Sequence, residues 1–112
     1  MGVGYPRLFP RSQKDVTGCG WLSDAKRAAL NVLDASLDTA IRRAAGKARV
    51  SYLDITNALA GHEACTKDSW IYRISAVDKL TGMAQQDGHP LPAGQAAIAR
   101  LVAGYLTQRF YR

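Results

Sequence analysis

The chain has 112 residues, of which 47% are hydrophobic and 21% charged, a length and balance typical of one small globular domain. Residues 1–15 contain no apolar h-region and no run of about 18 apolar residues occurs, so we expect neither a signal peptide nor a membrane-spanning helix. The net charge of +6 suits a polyanion partner, but the fifteen Lys and Arg residues are spread along the chain, and we predict no nucleic-acid surface.

The N-terminal segment has the pattern of a strand end followed by a turn. Residues 1–4, MGVG, suit the last residues of a strand. The next six, YPRLFP, contain two prolines, which exclude a helix interior and a central strand. We predict that residues 11–22 form a polar loop ending in CGWL.

A long helix is predicted from Ser23, a good N-cap, to Ala45, with Gly46 at the C′ position. Its apolar positions recur every three or four residues and share one face: Leu30, Leu33, Leu37, Ile41 and Ala44. The charged residues predict a solvated face that includes an Asp38–Arg42 pair: Lys26, Arg27, Asp34, Asp38, Arg42 and Arg43.

The second half of the chain repeats the strand–helix order. The stretch ARVSYLDIT suits a buried parallel strand, and residues 57–69 form a long loop. The segment from 70 to 88 is ambiguous, and a final helix is predicted from about Ala93 to Arg109. A βαβα order implies a parallel sheet covered by helices, but two strands are too few for a stable sheet, so we expect part of a larger α/β sheet.

His89 is the main candidate for chemistry. It precedes Pro90 and the final helix, so it is predicted at the carboxyl edge of the sheet, where open α/β folds bind ligands. A histidine base needs an orienting partner and a nucleophile. Asp87 and Asp54 are the candidate partners, and both also suit turn-bonding roles.

The cysteines allow two structural readings and one metal reading. Cys19 and Cys65 stand in separate loops and suit either a disulfide, with an oxidising compartment, or two free thiols. A zinc site would combine Cys19, Cys65 and His89 with His62 and Glu63 of GHEAC, but structural zinc sites show two close ligand pairs, which this sequence lacks. We therefore predict no metal and no cofactor.

Four ordered segments, GYPRLFP, CGWLS, SYLDITNALAGHEAC and HPLPAGQAAIARLVAGYL, together resemble the C-terminal half of secreted actinobacterial SGNH (GDSL-type) hydrolases. The resemblance spans nearly the whole chain, so residues 1–112 are expected to be the C-terminal part of one such domain. It implies a partial flavodoxin-like three-layer α/β sandwich and hydrolysis of carboxylic esters or lipids by a serine nucleophile, a histidine base and no metal. Secretion and a Cys19–Cys65 disulfide are also implied.

The resemblance assigns His89 as the general base. The family often has an aspartate three residues before this histidine, where this chain has Gln86, so Asp87 is displaced by one position and a backbone carbonyl is the alternative orienting group. The family's GDS nucleophile block and its oxyanion glycine and asparagine are absent. The serines lack that context at Ser12, Ser23, Ser51, Ser69 and Ser75.

Two functions follow from this sequence. In the first, the chain supplies the base of an esterase or lipase whose remaining half supplies the nucleophile, and the chain alone is inactive. In the second, it is a small basic interaction module without catalysis that uses an exposed sheet edge. In either case the exposed edge favours self-association of the isolated chain.

Overall fold

The computed structural model describes residues 1–73 and 88–110, which form a strand–helix–strand–helix arrangement. The elements are β1 (Gly2–Val3), α1 (Asp24–Lys47), β2 (Tyr52–Leu53) and α2 (Pro92–Phe110), with a short 3₁₀ helix at Gln13–Asp15. The strands pair in parallel, with Gly2 opposite Tyr52 and Val3 opposite Leu53. The predicted element order is confirmed, although both strands are shorter than predicted. Neither long helix in these ranges is apolar enough to cross a membrane.

Helix α1 begins as predicted and ends later than predicted. The Ser23 hydroxyl accepts a hydrogen bond from the Lys26 backbone N–H at 3.3 Å. The prediction of Gly46 as the C′ residue is wrong, because the helix continues to Lys47 and the left-handed position is occupied by Arg49, with φ of 55°. The backbone N–H of Val50 donates to the Ala45 carbonyl at 2.8 Å and that of Arg49 to Gly46 at 3.2 Å. These bonds satisfy helix-end carbonyls with a Schellman pattern, which here holds an arginine instead of glycine.

The face of α1 that packs against the protein is polar. Its buried residues are Arg27, Asp38 and Ala45, whereas Leu30, Leu33 and Leu37 are exposed. The predicted solvated face is therefore wrong for Arg27 and Asp38.

Two charged side chains of α1 find partners that the sequence did not indicate. Arg27 donates to the Leu22 carbonyl, to Gln13 and to the Asp24 carboxylate. The predicted Asp38–Arg42 pair is replaced by an Arg42–Asp54 ion pair at 3.1 Å.

The polar face of α1 binds the extended segment that follows β1. The Asp38 carboxylate accepts a hydrogen bond from the Tyr5 backbone N–H at 2.6 Å. Asn31 accepts from the Phe9 N–H at 3.1 Å and donates to the Phe9 carbonyl at 2.9 Å. The prolines at 6 and 10 keep this segment out of a strand ladder, so helix side chains satisfy its backbone groups instead.

Asp34 contacts the same segment, and its ionised form is electrostatically disfavoured there. It accepts a hydrogen bond from the backbone of Leu8, but burial and the nearby Asp38 carboxylate raise its pKa above the ordinary value.

The hydrophobic core lies in the loops that follow the two strands. It consists of Phe9, Leu59, Ala64, Cys65, Ile71 and Ala97. Helix α2 contributes Ala97, so it packs on this loop core, whereas α1 packs on the strands. A disulfide joins Cys19 to Cys65 with 5.7 Å between Cα atoms, which is within the range expected for a bridge.

Candidate functional site

His89 lies in a loop whose backbone is fixed on both sides. Ile71 and Pro90 form an antiparallel bridge. Backbone hydrogen bonds join residues 88–91 to residues 70–72: Gly88 N to Tyr72 O at 3.1 Å, Tyr72 N to His89 O at 2.8 Å and Leu91 N to Trp70 O at 2.8 Å. Gly88 adopts φ of 76°, a left-handed conformation that glycine tolerates without strain. The backbone of His89 is therefore held in place while its side chain is exposed to solvent.

Helix α2 begins immediately after this loop and is pressed against it. Pro92 is the first helical residue, a position where the missing N–H of proline costs nothing. Gly94 is buried, and a Cβ atom there would lie 2.6 Å from the Trp70 carbonyl oxygen and 3.1 Å from the Pro90 Cβ. The absence of a side chain at Gly94 lets the first turn of α2 touch the bridge that carries His89.

His89 is one of the residues that line a pocket of about 460 Å³. Most of its other walls are apolar side chains from the segments around β1 and β2, the 71–90 bridge and α2: Val3, Pro6, Leu8, Ile55, Leu59, Ile71 and Ile98. The arrangement places a histidine residue beside a mostly hydrophobic space that Asp34 also lines, which suits a base acting on a substrate with an apolar group. Sequence reasoning found His89 but not the pocket, because its walls come from segments far apart in the chain.

Two aspartates were predicted as candidates to orient His89, and the structure describes one of them. Asp87 lies outside the described residues. Asp54 accepts hydrogen bonds from the Thr56 hydroxyl at 2.6 Å and the Thr56 N–H at 2.9 Å, and it pairs with Arg42. These bonds from Thr56 lower the pKa of Asp54 below its ordinary value. Asp54 is thus a turn-bonding aspartate.

The recorded serine hydrogen bonds are structural. Ser12 and Ser23 accept bonds from nearby backbone N–H groups, and Ser69 donates to the Ile71 carbonyl. Ser36, a sixth serine in the middle of α1, donates to the carbonyl of Val32 at 2.9 Å. Among the residues that the structure describes, no recorded serine bond reaches the imidazole of His89; Ser75 lies outside them.

The residues of the zinc alternative are engaged in other contacts. Cys65 is in the disulfide, and Glu63 accepts the Gly61 N–H at 2.9 Å. The His62 ring stacks on Trp70 with 3.6 Å between ring centroids, and its Nδ1 lies 2.8 Å from the Asp68 carbonyl oxygen. The His62–Trp70 stack was missed from the sequence, since the two residues are eight positions apart in an irregular loop.

Comparison with known proteins identifies similar chains. The protein is 29% identical over 94 residues to lipase 1 of Streptomyces coelicolor, a match that covers 84% of this chain and 32% of that protein. It is similar in structure to an extracellular lipase of Streptomyces rimosus, with a TM-score of 0.75 and 22% identity over 91% of this chain and 40% of that one. No model of a protein family matches. These matches confirm the α/β fold and the predicted resemblance, and the chain spans less than half the length of either relative.

Proposed function

We propose that these residues form the histidine-bearing part of a carboxylic ester hydrolase, because the chain is similar in sequence to a lipase of Streptomyces coelicolor and in fold to an extracellular lipase of Streptomyces rimosus. One observation carries the proposal: His89, an exposed histidine on a loop fixed by backbone hydrogen bonds, lines a pocket whose other walls are mostly apolar. In this proposal His89 is the general base, and a serine outside these 112 residues is the nucleophile.

The proposed reaction is acyl transfer. His89 takes the proton of the serine as its oxygen attacks the ester carbonyl, and the resulting oxyanion is stabilised by donors that are also supplied from outside this chain. The protonated imidazole then donates to the departing alcohol. Water deacylates the serine with His89 again acting as base, and the apolar pocket walls favour an aliphatic acyl group.

Secretion is part of the same proposal. The Cys19–Cys65 disulfide is of a kind that persists in oxidising compartments, and the Streptomyces rimosus relative is an extracellular lipase.

The test uses this chain produced together with the part of Streptomyces coelicolor lipase 1 outside the matched region. The chain alone is expected to hydrolyse no p-nitrophenyl butyrate above background and to take no fluorophosphonate label, because it lacks an activated serine. The complex is expected to do both. His89→Ala should lower its kcat/KM about 10²- to 10⁴-fold, the usual contribution of a general base.

His62→Gln is the matched control, because it changes the second of the two histidines in the chain. It should leave kcat within about twofold, a change of under about 0.5 kcal/mol in activation free energy. Stoichiometric labelling of the isolated chain by the fluorophosphonate would disprove the proposal that the nucleophile lies outside these 112 residues. If the complex forms but its rate of ester hydrolysis is unchanged by His89→Ala, this chain would instead be a non-catalytic interaction module.

A further inference from the structure

A pocket of about 630 Å³ lies between the loops that follow β1 and β2, separate from the pocket that His89 lines. Four cationic residues line it, and we name it the basic pocket after them: Arg7, Arg11, Lys14 and Lys67. Within residues 1–73 and 88–110, none of these four belongs to a recorded ion pair. Arg7 lies near the Asp34 and Asp54 carboxylates, so its charge is the least available of the four, whereas the other three cations are exposed.

Three acidic residues also line the basic pocket, and two of them are already engaged. The buried Glu63 carboxylate accepts a hydrogen bond from the Gly61 N–H at 2.9 Å. An Asp68 carboxylate oxygen lies 3.2 Å from the His62 Nδ1. Asp15 is the third and is exposed. The lining therefore has an excess of one positive formal charge, and its cations are less engaged than its acids.

Hydroxyl groups add neutral donors to the basic pocket. The Ser12 hydroxyl accepts a hydrogen bond from the Lys14 backbone N–H at 3.3 Å, which leaves its own O–H able to donate. Thr17 lines the pocket with an exposed side chain, whereas the Thr66 hydroxyl donates to the Glu63 carbonyl at 2.6 Å. Guanidinium, ammonium and hydroxyl groups are the side-chain donors with which proteins bind phosphate.

The two loops that form the walls of the basic pocket are tied to each other. The Thr17 N–H donates to the Cys65 carbonyl at 2.7 Å, and the Ala64 N–H donates to the Leu8 carbonyl at 2.8 Å. The Cys19–Cys65 disulfide joins the same loops covalently. The backbone around the pocket is thus fixed before a ligand arrives, which lowers the entropic cost of binding.

We propose that Arg7, Arg11, Lys14 and Lys67 form a binding site for a phosphate group, carried by a free phosphate ester or by the headgroup of an anionic lipid. Planar guanidinium groups match the oxygen pattern of phosphate, and ammonium groups add point charges. The volume leaves room for the organic part of the ester beside its phosphate. The site uses neither His89 nor an ester-hydrolysing serine, so it does not depend on the proposed function.

The experiment titrates the 112-residue chain with inorganic phosphate at neutral pH and constant ionic strength in a calorimeter. Combining Arg11→Gln with Lys14→Gln should weaken phosphate binding at least about tenfold, because hydrogen bonds to charged groups are lost. Combining Arg43→Gln with Lys47→Gln is the matched control, because it removes the same two residue types from exposed positions of α1 outside the pocket. It should change binding less than about twofold, since salt screens exposed charges outside the site.

Two further probes identify what carries the phosphate. Glycerol 3-phosphate represents a free ester. Phosphatidylglycerol vesicles represent a lipid surface, with phosphatidylcholine vesicles as their uncharged comparison in a co-sedimentation assay. Binding of either probe that is lost in the Arg11 and Lys14 double variant supports the site and names its source of phosphate. Circular dichroism checks that both double variants keep the helix content of the unmodified chain.

Two outcomes overturn the phosphate site. One is that neither phosphate, glycerol phosphate nor phosphatidylglycerol binds. The other is that both double variants weaken binding equally, which would mean that the net positive charge attracts anions without a defined site. Phosphate binding by a chain whose complex hydrolyses no ester would refute the proposed function and support this site, and ester hydrolysis without phosphate binding would do the reverse.

Discussion

Replacing Gly94 with alanine tests the contact between α2 and the His89 loop. The new Cβ would lie 2.6 Å from the Trp70 carbonyl oxygen, 3.1 Å from the Pro90 Cβ and 3.4 Å from the Leu59 Cδ2. The nearest atom is backbone, so relief requires moving the bridge itself. Overpacking of this kind costs about 1–3 kcal/mol, against a gain of up to about 1 kcal/mol in helix propensity.

Gly104→Ala in the same helix is the matched control, because a Cβ there meets nothing within 4 Å. It should keep the propensity gain, so Gly94→Ala is expected to be less stable than Gly104→Ala by about 1–3 kcal/mol, the overpacking range. Urea unfolding followed by far-ultraviolet circular dichroism measures both. If the two variants are equally stable, the close contact at Gly94 does not exist as described.

Three further changes probe the disulfide and the carboxylates. Replacing Cys19 and Cys65 together with serine should lower the free energy of unfolding by about 4 kcal/mol. The disulfide joins residues 46 positions apart, and closing a loop of n residues lowers the entropy of the unfolded chain by about 2.1 + 1.5R ln n cal/mol/K. Unchanged urea unfolding would contradict this expectation. The pKa of Asp34 is raised in the folded protein, so its contribution to stability is present below the unfolded pKa of 3.8 and is lost as pH rises through the folded pKa. The Asp34→Asn variant lacks this loss, so its stability should increase relative to that of the unmodified protein as pH rises. The pKa of Asp54 is lowered in the folded protein, so its contribution to stability is present above 3.8 and is lost as pH falls through the folded pKa. The stability of Asp54→Asn should therefore decrease relative to that of the unmodified protein as pH rises. Thermal melts of both variants from acid to neutral pH measure the direction of each change.

The order of elements and the start of α1 were predictable because their signals are local. Ser23 caps the helix through a bond to a residue three positions on, and apolar spacing marks its length. The packing face was not predictable from that spacing. Periodicity shows that Leu30, Leu33 and Leu37 share a side, but not which neighbour covers it. A second pattern in the sequence did mark the packing face. Asn31, Asp34 and Asp38 recur at intervals of three and four, and all three face the protein.

The site was predictable only in its local part. A histidine and proline immediately before a helix located His89, and the resemblance assigned its role. The pocket could not be found in this way, because Val3 and Ile98 are 95 positions apart and only the fold makes them neighbours. The link from Gly94 to Trp70 has no sequence signal except the glycine itself.

The hydrogen bonds between α1 and the segment after β1 have a consequence for local opening. The amide protons of Tyr5 and Phe9 are bonded to side chains of Asp38 and Asn31, not to another strand. Deuterium can replace these protons only when the helix carrying their acceptors separates or unwinds. Residues without regular secondary structure should therefore exchange at the rate of the centre of α1, so that the loop and helix open as one cooperative unit.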